Sequence, residues 1–259
     1  MKMKKGLLTM LALLSMGSSA FAQGTVNVPT VTRNVNGEPG PVNEVSVVAS
    51  RQGTVKIELT EFTNYRDLQF DLTLPEGITV VTDENEVIQV ETAKTSHKVA
   101  ANAVADNKVR FVVYNEGNVD DNDNVIKLGN GIIVEIPVNV AANFKGSREP
   151  NASLDGIKTS DDAATTSIDL AIANFNVRAV LLGDINDNGE VEIGDATCVI
   201  NNVVGSPNAV YVEEVADVNG QEGPGEIGDA TSIVNIVVGT ATPAKRNFNE
   251  EVGETLDPD

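Results

Sequence analysis

Apolar and polar residues alternate with a period of two along much of the chain. Val55, Ile57 and Leu59 alternate with polar residues, and so do Leu68, Phe70, Leu72 and Leu74, up to a turn at Pro75, Glu76 and Gly77. Val109, Phe111 and Val113 repeat the pattern. Ile132, Val134, Ile136, Val138 and Val140 form the longest run, and Ile168, Leu170 and Ile172 a late one. Successive side chains of a strand point to opposite faces, so these runs predict half-buried strands. Short runs bounded by Gly, Asn and Asp, without amphipathic helices between them, predict a β-sandwich. About 155 residues are enough for one good core. Pro137 lacks an N–H, which predicts an edge strand or a bulge there. Residues 23–43, rich in Gly, Pro, Asn and Thr, predict little regular structure.

The period changes near the C-terminus. Val199, Ile200, Val203 and Val204 fall at i, i+1, i+4 and i+5, one face of a helix, and Ile233, Val234, Val237 and Val238 repeat them. Their β-branching favours strand. Gly205 and Gly239, however, stand where a helix end wants a left-handed residue. The spacing predicts two helices, held by packing on each other and by a bound ion rather than by propensity. Each helix follows an acidic loop, and residues 192–197 recur unchanged at 226–231.

The first loop, residues 184–195, spans twelve positions. An EF-hand-like calcium loop offers oxygen at positions 1, 3, 5, 7, 9 and 12, with Gly at 6 for the sharp turn. Here those positions hold Asp184, Asn186, Asn188, the carbonyl of Glu190, Glu192 and Asp195, with Gly189 at 6. Val191 is the apolar residue that pins the loop against its twin. The second loop, residues 217–229, has thirteen positions. Asp217, Asn219 and Asp229 are candidate ligands, and either Gln221 or Glu222 fills the fifth position. One extra residue predicts a weaker second site. The competing account is a pair of Asx-rich surface turns capping helices through Asp195 and Asp229. Duplication favours the metal reading.

Residues 181–240, through the two Asp-x-Asn starts, the closing Asp195 and Asp229 and the helices after them, resemble the type I dockerin. The resemblance implies two calcium ions, loop–helix repeats packed antiparallel, and docking to a cohesin-like receptor module on another protein. It further implies that loop positions 10 and 11 help choose the partner. These are Ile193 and Gly194 in one copy and Ile227 and Gly228 in the other, in place of the family's small hydroxyl pair. Residues 43–178 are similar in their order of strands to a cohesin, through residues 54–59, 64–78, 107–114 and 131–140. Related carbohydrate-binding modules share that jelly-roll architecture. The expected fold is therefore mainly β with a small α module: a jelly-roll β-sandwich followed by a calcium-binding, dockerin-like and EF-hand-like loop–helix pair.

The N-terminus reads as a secretory leader: Lys2, Lys4 and Lys5, an apolar run over residues 7–14, and Ala20-Phe21-Ala22 before Gln23. That run is too short to span a bilayer. Expected units are a signal peptide (1–22), a cohesin-like sandwich (23–178), a dockerin-like module (179–240) and a disordered acidic tail (241–259), in a protein secreted or held in the periplasm or at the cell surface. Removing three leader Lys leaves fifteen basic and thirty-eight acidic residues. Such a field opposes nucleic acid and anionic membranes and favours divalent cations. The single cysteine, Cys198, excludes an internal disulfide; its alignment with Ser232 predicts a tolerant, half-packed site.

Other candidate chemistry is thin. The acidic run 118–124 reads as a hairpin tip rather than a cation site. His97, the one histidine, reads as a surface residue. Phe62, Tyr65, Phe111 and Tyr114 read as core rather than a sugar platform, since the chain has no Trp. Residues 176–183 read as a short joint whose apolar Val180, Leu181 and Leu182 dock on both sides and fix the modules' orientation. No Ser-His-Asp or Cys-His set and no phosphate loop is present. The reading is a secreted, non-catalytic scaffold or adaptor, part of a polysaccharide-processing assembly. It docks to a receptor module or associates head to tail with its own copies. The alternative is a glycan-binding protein whose calcium module is only structural.

Overall fold

The computed structural model describes residues 24–35, 38–62, 65–117, 126–160, 167–221, 223 and 225–241. The leader, the run at 118–125, Glu222 and the tail beyond Ala241 lie outside them. The described strands are β1 (Thr25–Asn27), β2 (Thr30–Val35), β3 (Glu38–Val47), β4 (Gln52–Thr60), β5 (Asp67–Thr73), β6 (Ile78–Val80), β7 (Glu91–Thr92), β8 (Lys98–Ala105), β9 (Lys108–Tyr114), β10 (Gly131–Val140), β11 (Ala152–Ser160), β12 (Ser167–Asp169) and β13 (Ala173–Ala179). Two helices follow, α1 (Ile193–Val203) and α2 (Ile227–Val237), with a single 3₁₀ turn (Glu213–Val215) between them.

The strands form two sheets. One runs β1-β4-β10-β6, with β7 also on β10; the other runs β2-β3-β13-β11-β5-β9-β8, with β12 on β11. Alternation places the core between them. Val55, Ile57 and Leu59 of β4 and Leu68, Phe70 and Leu72 of β5 are all buried, as are Val109, Phe111 and Val113 of β9. Phe70 and Phe111, paired across β5 and β9, stack with centroids 5.1 Å apart. The turn after β5 forms as expected, with Gly77 left-handed and the Ile78 N–H donating to the Pro75 carbonyl. The chain is mainly β with a two-helix C-terminal unit.

Several expectations are corrected. Residues 24–35 and 38–43 are not irregular: they supply β1, β2 and the start of β3, because Val26, Val28 and Val45 have a core to cover. Pro137 lies in an interior strand, since β10 pairs with β4 on one side and with β6 and β7 on the other. It sits where the neighbour changes, between the β7 pairs at Val134 and Glu135 and the β6 pairs from Val138 onward, so a missing N–H costs little there. The bulge in β10 instead falls between Ile132 and Val134, and brings Ile133 inward.

The late strand is also displaced. Ile172 is 64 % exposed, and the long strand is β13, whose Phe175 and Val177 are buried. It runs parallel to β3 through the segment expected to be a joint. His97 is buried rather than on the surface. Its Nε2 lies 3.1 Å from the Arg66 carbonyl and its Nδ1 2.9 Å from Ser96 Oγ, and burial pushes its pKa down.

Candidate metal-binding and docking site

The first loop closes on two buried carboxylates. Asp184 accepts from the N–H groups of Asn188 (3.0 Å) and Gly189 (2.9 Å). Asp195, fully buried, accepts from Ile185 (2.8 Å) and Asn186 (3.0 Å) on one oxygen and from Glu192 (2.9 Å) on the other. Asn186 Oδ1 takes the Asn188 N–H and Asn188 Oδ1 the Glu190 N–H, while the Asn188 amide donates to Glu192 Oε1. The chain thus winds round its own side-chain oxygens, with Gly189 at φ 96° making the sharp turn. Burial pushes the carboxyls of Asp184 and Asp195 up, against the pull of those N–H donors. Two desolvated carboxyls close together favour a proton or a cation between them.

The second loop repeats the closure. Asp229, also fully buried, accepts from Val218 (2.9 Å) and Asn219 (3.1 Å) on one oxygen and from Glu226 (2.9 Å) on the other. Asn219 Oδ1 takes the Gln221 N–H at 2.7 Å, as Asn186 takes that of Asn188. Gln221 is exposed, and Glu222 lies outside the described residues. The extra length is taken up around Gly223 and Gly225, both left-handed. Among the described residues no three His, Cys, Asp or Glu side chains converge as a metal-holding group. The donors that alternate with spacers in these loops are as much carboxamide as carboxylate. All are hard oxygens of the kind calcium takes, and a carboxylate oxygen accepting an N–H still has a lone pair for an ion.

Both helices begin two residues before these closing residues. Asp195 and Asp229 are the third residues of α1 and α2 and tie down the N-cap N–H of Glu192 and Glu226, which is also the helix-capping role weighed above. The C-terminal signal holds. Gly205 and Gly239 are left-handed; the Gly205 N–H donates to Asn202 and that of Ser206 to Asn201, and Gly239 and Thr240 do the same to Ile236 and Asn235. The helices pack on each other. Ala196, Cys198, Val199, Ala230 and Ile233 are buried among Ile185, Val212, Val215 and Val218, with Val191 packed against this cluster. Cys198 is therefore a core residue rather than half-packed; burial raises its thiol pKa, and its Sγ accepts from the Asn208 amide.

The four-residue apolar face of each helix is split. Val199 and Ile233 turn inward, whereas Ile200, Val203, Val204, Val234, Val237 and Val238 are exposed. Ile193 and Ile227, the residues implied to choose a partner, are 51 % and 54 % exposed. Gly194 and Gly228 beside them face the loops: a Cβ on Gly194 would lie 3.0 Å from Glu192 Oε1, and one on Gly228 would lie 2.8 Å from Asn219 Nδ2. Side chains at those two positions would crowd candidate ligands.

A cluster that sequence reading missed joins the loops to the sandwich. Glu44 of β3 bonds Arg33 of β2 (3.0 Å) and Arg178 of β13 (3.1 Å). Arg178 also reaches Asp187 at 2.9 Å, and Asp187 accepts from the Asn34 N–H and lies 3.7 Å from Arg148. Arg33 reaches Glu214 at 3.4 Å. Burial raises the Glu44 pKa, but bonds from Arg178, Ser46 and Arg33 outweigh it and hold the carboxyl below its usual range. Asp187 is the fourth residue of the first loop, left-handed at φ 57° and buried. An acid at a spacer position was the only signal available in the sequence. The joint docks through Val180 and Leu182 but not through Leu181, which was expected to dock with them. The Val180 N–H bonds the Val47 carbonyl and the Gly183 N–H that of Val215, with Val180 and Leu182 buried and Leu181 exposed.

No protein-family model matches the chain. No curated protein matches it. Solved structures similar to it include the sixth cohesin of scaffoldin B from Acetivibrio cellulolyticus, determined in complex with a dockerin. It is 12 % identical, with 60 % of this chain and 99 % of that one covered at a TM-score of 0.42. A cohesin module of a family 33 glycoside hydrolase from Clostridium perfringens is 12 % identical, with coverages of 61 % and 98 % and a TM-score of 0.41. A non-cellulosomal cohesin from Archaeoglobus fulgidus is 12 % identical, with coverages of 60 % and 92 % and a TM-score of 0.39.

Proposed function

We propose that this protein is a secreted, non-catalytic adaptor whose C-terminal loop–helix pair binds calcium and docks to a receptor module on another protein. The observation that carries the reading is the twin closure of the loops. Asp195 and Asp229 hold the same three backbone positions and lie in the first turn of the same helix, and with Asp184, Asn186, Asn188, the Glu190 carbonyl and Glu192, or with Asp217 and Asn219, they would surround an ion. Bound calcium would neutralise the buried carboxyls and couple ion binding to helix formation. The first loop, of regular length, is the stronger site. The helix face bearing Ile193, Ile200, Ile227 and Val234 is the docking surface, and the sandwich is a protein-interaction module. No helix among the described residues is long and apolar enough to cross a membrane.

Titration of the full secreted chain with calcium, followed by calorimetry, tests the reading. Two binding events of unequal affinity are expected, the weaker in or near the millimolar range of extracellular calcium modules. No heat of binding, together with circular dichroism unchanged by chelator, would remove it.

A further inference from the structure

We infer that the surface the two helices present fits one kind of partner: a different protein whose apolar contact face is ringed by Lys and Arg, not a second copy of this chain. The inference rests on the docking reading and names the chemistry of its partner. Its first support is where the apolar surface lies. Eight of the thirteen exposed large apolar side chains among the described residues belong to α1, α2 or the residue capping each. They are Ile193, Ile200, Val203 and Val204 in one copy and Ile227, Val234, Val237 and Val238 in the other. A sandwich more than twice as long exposes only Val35, Val87, Val104 and Ile172. Apolar surface gathered in this way marks an interaction site.

The second support is charge. Residues 179–244 contain no Lys or Arg and eleven Asp or Glu. Glu190, Glu192, Glu213, Glu214 and Glu226 of this segment are exposed around the helices. Two calcium ions would offset only four of those charges. An acidic partner rim would meet uncompensated repulsion, whereas a cationic rim would meet attraction at every approach. The molecule already pairs this unit in that way: where the sandwich holds it, Arg33, Arg148 and Arg178 meet Asp187 and Glu214.

A second copy does not offer that rim on its longer sheet. Lys98 pairs with Glu116, Lys108 with Asp155, Arg110 with Asp71 and Lys158 with Asp169, all within the same chain. Those cations are already matched, and the acidic balance of the whole chain adds repulsion between copies.

The test uses the full secreted chain in calcium. The probe is the scaffoldin B cohesin module in two versions, its dockerin-contacting face rimmed with four Lys or with four Glu. The Lys-rimmed version should bind about tenfold more tightly or better, with the advantage falling as salt is raised to about 0.5 M. Thr197→Lys with Thr231→Lys, both on exposed helix positions, should shrink or reverse that ratio. Ile200→Asp with Val234→Asp should remove binding to both versions. In sedimentation the chain should remain a monomer. Equal affinities, a preference for the Glu rim, or a self-associated chain dispersed by Ile200→Asp would overturn this inference while leaving docking intact. If calcium binds to the loops and neither version binds, this inference falls.

Discussion

Asp195 and Asp229 each satisfy three backbone donors from full burial, so each is a structural residue before it is a ligand. Asp195→Ala would orphan the N–H groups of Ile185, Asn186 and Glu192. A cost of about 2–4 kcal/mol to the calcium-loaded C-terminal unit is expected, read as a fall in its melting temperature. Asp229→Ala should cost less, because the longer loop gives calcium less to add; calorimetry giving the reverse order would refute the ranking of the two sites. Another carboxylate contributes to the acid behaviour of the sandwich. Asp71 is held below its ordinary pKa by hydrogen bonds from Arg110, at 2.6 and 2.8 Å, against the opposing effect of burial. Because the folded pKa is the lower one, its contribution is complete above the unfolded value near 3.8 and is lost as pH falls through the folded value. Asp71→Asn should therefore lower stability at neutral pH and flatten the acid limb of a stability–pH curve.

At the scale of elements, periodicity was a good guide wherever one side of a segment was buried. It found β4, β5, β9 and β10, and the two helices despite their β-branched residues, because packing and a left-handed glycine outweigh propensity. It failed where burial depends on what lies on both sides. Residues 173–179 do not alternate, since Phe175, Asn176, Val177 and Arg178 are all buried in a strand flanked by β3 and β11. Neighbouring Ile168, Leu170 and Ile172 recur at every second position, yet Ile172 is exposed. The same blindness hid His97, whose polar surroundings in sequence gave no hint of the Arg66 carbonyl it meets. In the helices the pattern was legible but its meaning was not, since an apolar residue left exposed reads in sequence like one that is buried. β13 also shows how close two backbones come: Gly146, left-handed at φ 68°, lies directly on the Val177 carbonyl and Arg178 Cα, with no room for a Cβ. Gly146→Ala should destabilise the sandwich by about 2–4 kcal/mol, against about 1–2 kcal/mol for alanine at Gly129, which is equally left-handed but has open space where its Cβ would lie, measured by urea denaturation.

For the whole molecule, the ion cluster of Arg33, Glu44, Arg148, Arg178 and Asp187 ties the sandwich to the first loop. Without Glu44 the buried Arg33 and Arg178 lose their shared carboxylate and keep only Glu214 and Asp187. Glu44→Gln is expected to cost about 3–5 kcal/mol at the contact, and to appear as a larger radius of gyration by solution scattering and as two separate thermal transitions. An unchanged radius and a single transition would show that the Val180–Val47 bond and the buried Leu182 suffice alone. Calcium should raise the melting temperature of the C-terminal unit and increase its helicity, and chelator should undo both.

Asp187 belongs to the first loop by sequence and to the sandwich by its bonds. A fragment trimmed to the helical end alone would free that carboxylate to swing toward any ion its loop captures, adding a ligand or a repulsion that the intact chain keeps out of reach. Affinities measured on the excised fragment would then describe the cut rather than the protein.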